Sequence, residues 1–171
     1  MTPSEIVSHS HHDRRTERDE LLALDARSIS TDVALQYLLD TNVLSEPMRP
    51  LPDPGVIERI TDAGSSMATA APVWHEIQLG WLRLPPGKRR RAIEAIVEAM
   101  AAALVILPYD TGAAAWHAQE RARLSRMGKA PPFVDGQIAA IAAVHDLVLV
   151  TRNIRDFSGF TGLELESWFS A

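Results

Sequence analysis

The chain has 171 residues, 46% of them apolar, no cysteine and a formal net charge of −5. That length fits one domain with a sizeable core, and the lack of cysteine excludes disulfides, thiolate metal ligands and a cysteine nucleophile. No apolar run approaches the roughly 20 residues of a membrane span and the N-terminus shows no signal-peptide apolar region, so a cytoplasmic protein is expected.

Residues 1–34 differ from the rest. The run Ser8-His9-Ser10-His11-His12-Asp13-Arg14-Arg15 is polar and mixed in charge. Such a segment buries little, which predicts a tail that is disordered or loosely helical, ahead of a domain over residues 35–171. The tail carries four arginines and seven acids, the remainder 13 basic and 15 acidic residues. With the four acids singled out below set aside, the body is weakly positive. Electrostatics therefore permit an anionic substrate without demanding one.

The body alternates strand and helix signals. Residues 35–39 read as a first strand. Pro54–Ala63 reads as an amphipathic helix through Val56, Ile57 and Ile60, stopped at Gly64. Residues 66–70 make a second strand, and Pro72 opens a helix to about residue 84, where proline is tolerated at the first helical position. Pro85-Pro86-Gly87 breaks it. Lys88–Ala103 repeats apolar residues at helical spacing, and residues 104–107 form a third strand. Thr111 is expected to cap a helix ending before Gly128. Pro131-Pro132 precedes an apolar helix over 134–145, followed by a fourth strand at 147–150 and an edge strand at 163–166. The β-α-β order predicts an α/β fold: a parallel sheet of four to five strands with helices on both faces.

Four segments place acid or amide groups at similar points of this plan. The first strand ends in Asp40-Thr41-Asn42. A carboxylate directly after Leu38-Leu39 needs a partner or a metal, and ligands of open α/β sheets sit in the crevice outside the strand ends. Glu76 lies in the second turn of the helix opened by Pro72. Asp135 lies in the first turn of the apolar helix. Thr151-Arg152-Asn153-Ile154-Arg155-Asp156 follows the fourth strand. Singly, each acid has a plain structural reading: Asp40 and Asp135 as caps, Glu76 as a favourable charge near a helix N-terminus, Asp156 as a turn residue or partner of Arg155. Together they suit a hard divalent cation and phosphodiester hydrolysis.

The same residues carry a family resemblance. Leu38-Leu39-Asp40-Thr41-Asn42-Val43-Leu44-Ser45-Glu46-Pro47 resembles the opening of PIN-domain proteins, particularly the VapC, FitB and plasmid-stability (StbB-like) toxins. Glu76-Ile77-Gln78-Leu79-Gly80 looks like their second motif, Asp135-Gly136-Gln137-Ile138-Ala139-Ala140 like the third, and Val150-Thr151-Arg152-Asn153-Ile154-Arg155-Asp156-Phe157 like the fourth. The resemblance covers about residues 35–169. It implies a Mg²⁺- or Mn²⁺-dependent ribonuclease, the toxin of a type II toxin–antitoxin pair, homodimeric and neutralised by a VapB- or FitA-like antitoxin, with operator DNA bound only through the antitoxin.

The family's acids carry over to Asp40, Glu76, Asp135 and the fourth segment. There Asn153 is an amide, so the charge is assigned to Asp156 and a hydrogen-bonding role to Asn153. Thr41, Asn42 and Thr151 are supporting residues. Arg152 is the first candidate for RNA contact, followed by Arg155; Arg49, Lys88–Arg91, Arg121, Arg123, Arg126 and Lys129 are further candidates. Trp74, Trp81 and Trp116 are read as core or interface, and His75, His117 and His145 as packing or capping residues. Two features depart from the family: His75 replaces the usual small residue before the motif Glu, and the tail is extra, which makes Val33 a candidate start.

Two rival readings stand beside the RNA-cleaving toxin. One is a PIN protein acting mainly as partner subunit of a DNA-binding FitAB-like complex with weak catalysis. The other is a phosphohydrolase with an aspartyl nucleophile, against which Asp40-Thr41-Asn42 lacks the second Asp two residues on.

Overall fold

The computed structural model describes residues 34–129 and 131–170. The expected tail, and with it the candidate start at Val33, lies outside the described residues except for Ala34. Five strands, β1 (Tyr37–Leu39), β2 (Met67–Ala70), β3 (Val105–Leu107), β4 (Val148–Val150) and β5 (Leu165–Glu166), form one sheet of order β3-β2-β1-β4-β5. Every pairing is parallel. Seven α-helices accompany them among the described residues: α1 (Thr41–Leu44), α2 (Pro54–Ala63), α3 (Ala71–Leu82), α4 (Lys88–Ala103), α5 (Thr111–Arg126), α6 (Phe133–Val144) and α7 (Ile154–Phe157).

The central strand β1 is short and its last two residues are wholly buried, as are Ala68 and Ala70 of β2 and Leu149 and Val150 of β4. Continuous apolar strands of this kind belong to a parallel sheet covered on both faces. Each fully buried Leu or Val contributes roughly 1.5–3 kcal/mol relative to exposure. Helix α6 is the most apolar cover, with Ile138, Ala139, Ala140, Ile141 and Ala142 buried. Its first turn is more open, with Phe133 55% exposed.

Helix boundaries follow local chemistry. Asp53 accepts from the N–H groups of Gly55 and Val56 and Pro54 stands in the first turn of α2. The cap of α5 is Asp110, whose side chain accepts from Ala113 N at 2.9 Å, and not Thr111. Both residue types cap well, and the chain turns into the helix one residue earlier than expected. Gly128, at φ 68°, ends that helix in the left-handed region glycine adopts freely. No helix among the described residues is long and apolar enough to cross a membrane.

The strand order positions the site. From β1 the chain builds outward through β2 to β3, then crosses to the other side of β1 for β4 and β5. The order therefore switches between β1 and β4, where open α/β sheets bind their ligands at the carboxyl edge. The register sets Leu39 opposite both Thr69 and Val150. Asp40 and Thr151, the next residue of each strand, consequently emerge side by side.

Candidate active site

Asp40 stands where β1 meets α1, and is 7% exposed. Its backbone N–H donates to Val150 O at 3.0 Å, continuing the ladder one step beyond the strand. Its carboxylate caps α1: Oδ1 accepts from Thr41 N at 2.7 Å, and Oδ2 accepts from Asn42 Nδ2 at 2.8 Å and Thr151 Oγ1 at 2.7 Å. The cap and the site are one and the same group. Burial pushes the Asp40 carboxyl above its ordinary value and Glu76 adds to this, while the hydrogen bonds from Thr151, Thr41 and Asn42 oppose it.

Thr151, fully buried, is the hub of the β1–β4 junction. Besides donating to Asp40, its Oγ1 accepts from Asn153 N at 3.1 Å and Asn42 Nδ2 at 3.3 Å. Asn42 Oδ1 accepts from Arg152 N at 2.8 Å, so the Asn42 amide bridges the two strand ends. Thr41 turns the other way and its hydroxyl donates to Glu76 Oε2 on α3. Asn153 contributes through its backbone N–H; its side chain makes no capping bond to α7.

Asp135 lies half-buried in the first turn of α6. Its carboxyl is raised first by burial, then by the charges of Asp40, Asp156 and Glu76. Like charges gathered in a partly dry site favour protonation until a cation compensates. Neither Asp135 nor Asp156 accepts a side-chain hydrogen bond from another described residue, which leaves their oxygens free. Among the described residues no group of three His, Cys, Asp or Glu side chains is drawn tightly enough to hold a metal ion by itself. An all-oxygen donor set of this openness fits Mg²⁺, which keeps several waters and takes one or two carboxylates, better than an ion that demands a closed cage.

Two clefts adjoin the acids. One, of about 510 Å³, is lined by Thr41, Glu76, Arg49, Trp81 and Arg89. Another, of about 520 Å³, is lined by Asp135, Asp156, Arg155 and Lys129. Of the basic residues expected to meet RNA, Arg155, Lys129, Arg49 and Arg89 therefore border the site. Arg152 packs its guanidinium 4.7 Å from the Phe169 ring centroid. Arg121 and Arg123 are held internally, donating to Pro131 O and to Glu120 and Gly159 O. Arg90 lies over the Trp81 ring and donates to Leu84 O.

Two residues of the motif segments carry structure the sequence reading did not assign. Glu46, 2% exposed, accepts from Asp53 N at 2.8 Å and Arg49 at 3.3 Å, fixing the loop that follows α1. Gly136, next to Asp135, lies under the buried ring of His117. A glycine inside a helix, which costs about 1 kcal/mol against alanine, was the signal for the second.

The PIN domain family matches residues 37–161. Toxin FitB of Neisseria gonorrhoeae is 37% identical over 128 residues, covering 70% of this chain and 89% of that protein. The tRNA(fMet)-specific endonuclease VapC of Salmonella typhimurium is 32% identical over 134 residues, covering 78% and 98%. Among solved structures, FitAB bound to a DNA fragment contains a chain that superposes with a TM-score of 0.72 at 30% identity, covering 80% of this chain and 98% of that one. DNA-bound VapBC from Salmonella typhimurium gives 0.69 at 31%, covering 78% and 98%. The family match and these relatives show that the chain belongs to the PIN-domain family, among the relatives of the VapC and FitB toxins.

Proposed function

We propose that the protein is the toxin of a type II toxin–antitoxin pair and cleaves RNA phosphodiester bonds in the cytoplasm with the help of Mg²⁺ or Mn²⁺. One observation carries the reading: at the β1–β4 junction Thr151 and Asn42 hold the Asp40 carboxylate while the Thr41 hydroxyl donates to Glu76, and the charges of Asp40, Asp156 and Glu76 add to burial in raising the Asp135 carboxyl. The names of relatives support it, one being a tRNA(fMet)-specific endonuclease.

Asp40, Asp135 and Asp156 would hold the cation, with Glu76 directly or through water. Bound there, a divalent ion supplies a water of lowered pKa and stabilises charge on the phosphate oxygens. The chain's own residues do the rest. Thr151, Asn42 and the Thr41 N–H fix the Asp40 carboxylate in one orientation, and oppose the rise that burial imposes on its pKa. The Thr41 hydroxyl restrains Glu76 at the opposite wall. Arg155 and Lys129 on one side, Arg49 and Arg89 on the other, offer charge to an RNA backbone entering either cleft.

FitAB bound to DNA at 30% identity favours a second role in the same protein, as subunit of an antitoxin complex that reaches operator DNA through the antitoxin. A homodimer with a VapB- or FitA-like antitoxin is the assembly this reading expects. Expression without antitoxin should arrest growth, and Asp40→Asn should relieve the arrest. Arrest that persists in the folded Asp40→Asn protein would refute the nuclease as its cause.

A further inference from the structure

We propose that His117, on α5, is a positioning residue for Asp135 and acts through Gly136. The inference rests on the nuclease reading above and deepens it. Helix α5 carries none of the four acids, yet it grips the start of the helix that carries one. The His117 ring is 2% exposed and lies directly against Gly136. A Cβ placed on Gly136 would meet Nε2 at 2.0 Å, Cδ2 at 2.7 Å and Cε1 at 2.8 Å. No side chain beyond hydrogen fits under that ring.

The ring is itself held. Nδ1 is 3.0 Å from the Tyr109 hydroxyl, and the Phe133 ring lies 4.9 Å away, centroid to centroid. Arg121, one turn further along α5, donates to Pro131 O at 3.1 Å and lies over the Phe133 ring. The residues on both sides of Asp135 are thus fixed by α5: Phe133 and Pro131 before it, Gly136 after it.

Two local choices here run against stability. A glycine in a helix loses to alanine. A buried ring nitrogen without a partner loses to an apolar side chain, and Nε2 of His117 is the one buried side-chain atom without a hydrogen-bond partner among the described residues. Both are explained by a single need. A flat ring tethered by Tyr109 and seated on a bare Cα sets the distance and rotation of α6 against α5. Asp135 is the neighbouring residue, so any shift of that contact moves its carboxylate relative to Asp40 and Asp156. A displacement of about 1 Å in a catalytic group is enough to lower a rate by roughly 100-fold.

The test compares wild type, His117→Ala, Gly136→Ala and the double variant by thermal melting, Mn²⁺ affinity from calorimetry, and RNA cleavage, with Asp135→Asn as reference. His117→Ala should fold, while Mn²⁺ affinity and kcat fall about 10–100-fold and KM for RNA holds, the range expected for residues that orient ligands. Gly136→Ala should be worse than His117→Ala. The double variant, in which the new methyl enters the space the ring vacated, should recover towards His117→Ala. A folded His117→Ala with wild-type Mn²⁺ affinity and kcat overturns the proposal, as does a double variant no better than Gly136→Ala. Should His117→Ala fail to fold, Tyr109→Phe frees the ring without removing it, and unchanged Mn²⁺ affinity there is equally fatal. If wild type binds Mn²⁺ but cuts no RNA, the nuclease reading fails while the loss of affinity in the variants still supports the positioning role. If wild type binds no Mn²⁺, both fall.

Discussion

Thr151 Oγ1 donates to Asp40 Oδ2 at 2.7 Å, joining residues 111 positions apart across the β1–β4 junction. The bond exists because the register brings both strands to an end at the same level. It holds down the proton affinity that burial raises in Asp40. Replacing the hydroxyl with a methyl removes a donor to Asp40 and an acceptor for Asn153 N. Thr151→Val should therefore cost about 1–3 kcal/mol of stability through the unpaired groups it leaves. The Asp40 pKa should rise further, moving the acid limb of the pH–rate profile to higher pH. Thr151→Ser should restore both. A Thr151→Val protein with an unshifted acid limb would show that the hydroxyl does not govern Asp40.

The raised carboxyls make a signed prediction for the metal-free protein. Asp40 and Asp135 both have folded pKa values above the ordinary 3.8. A raised carboxyl contributes stability that is fully present below 3.8 and is lost as the pH rises through the folded value. As the pH rises through the folded values the two carboxyls ionise and repel one another. Mn²⁺ should then raise Tm clearly at neutral pH and hardly at all below 3.8, where the acids are protonated. Melting curves with and without Mn²⁺ at the two pH values decide this, and equal shifts at both would contradict it.

The fourth acid position separates into two residues with different expectations. Asp156 is among the charges that raise Asp135, while Asn153 works through its backbone N–H. Asp156→Asn should reduce cleavage severely with little change in Tm. Asn153→Ala, which keeps the N–H, should retain most of the activity. The reverse ranking would move the fourth ligand to Asn153.

The arginines divide in the same way. Arg155 lines the cleft with Asp135 and Asp156, whereas Arg152 is stacked on Phe169. Arg155→Ala should weaken RNA binding and reduce the salt slope by about 0.7, the share of one phosphate contact on a single strand. Arg152→Ala should act more through loss of packing against Phe169. Binding titrations over a range of salt concentrations separate the two, and an unchanged slope for Arg155→Ala would remove it from the interface.

Much of this arrangement is legible from residue patterns. Pro54–Ala63 and Lys88–Ala103 appear with the expected boundaries because apolar spacing and flanking breakers agree. The carboxylate after Leu38-Leu39 is legible because a charge has no place at the end of a buried strand unless something holds it. Helices α1 and α7 are not legible, since four residues are too short to show a period. The cap of α5 is Asp110 and not the expected Thr111, because both are good caps and only the backbone path chooses between them. Internal engagement of Arg121 and Arg123 is equally hidden, for it depends on Pro131 O and Gly159 O arriving from other elements. His117 was legible as a packing residue, but its partner Gly136 lies on another helix, and only tertiary structure brings them together.

The most direct test of the central claim is cleavage of a mixed RNA and single-stranded DNA panel by purified, antitoxin-free protein with Mg²⁺, with Mn²⁺ and with EDTA, beside Asp40→Asn. The proposed nuclease function predicts RNA cuts that require the metal and vanish in the folded Asp40→Asn variant. Cutting that survives EDTA or the substitution, or no cutting by folded wild-type protein with either metal, would contradict it.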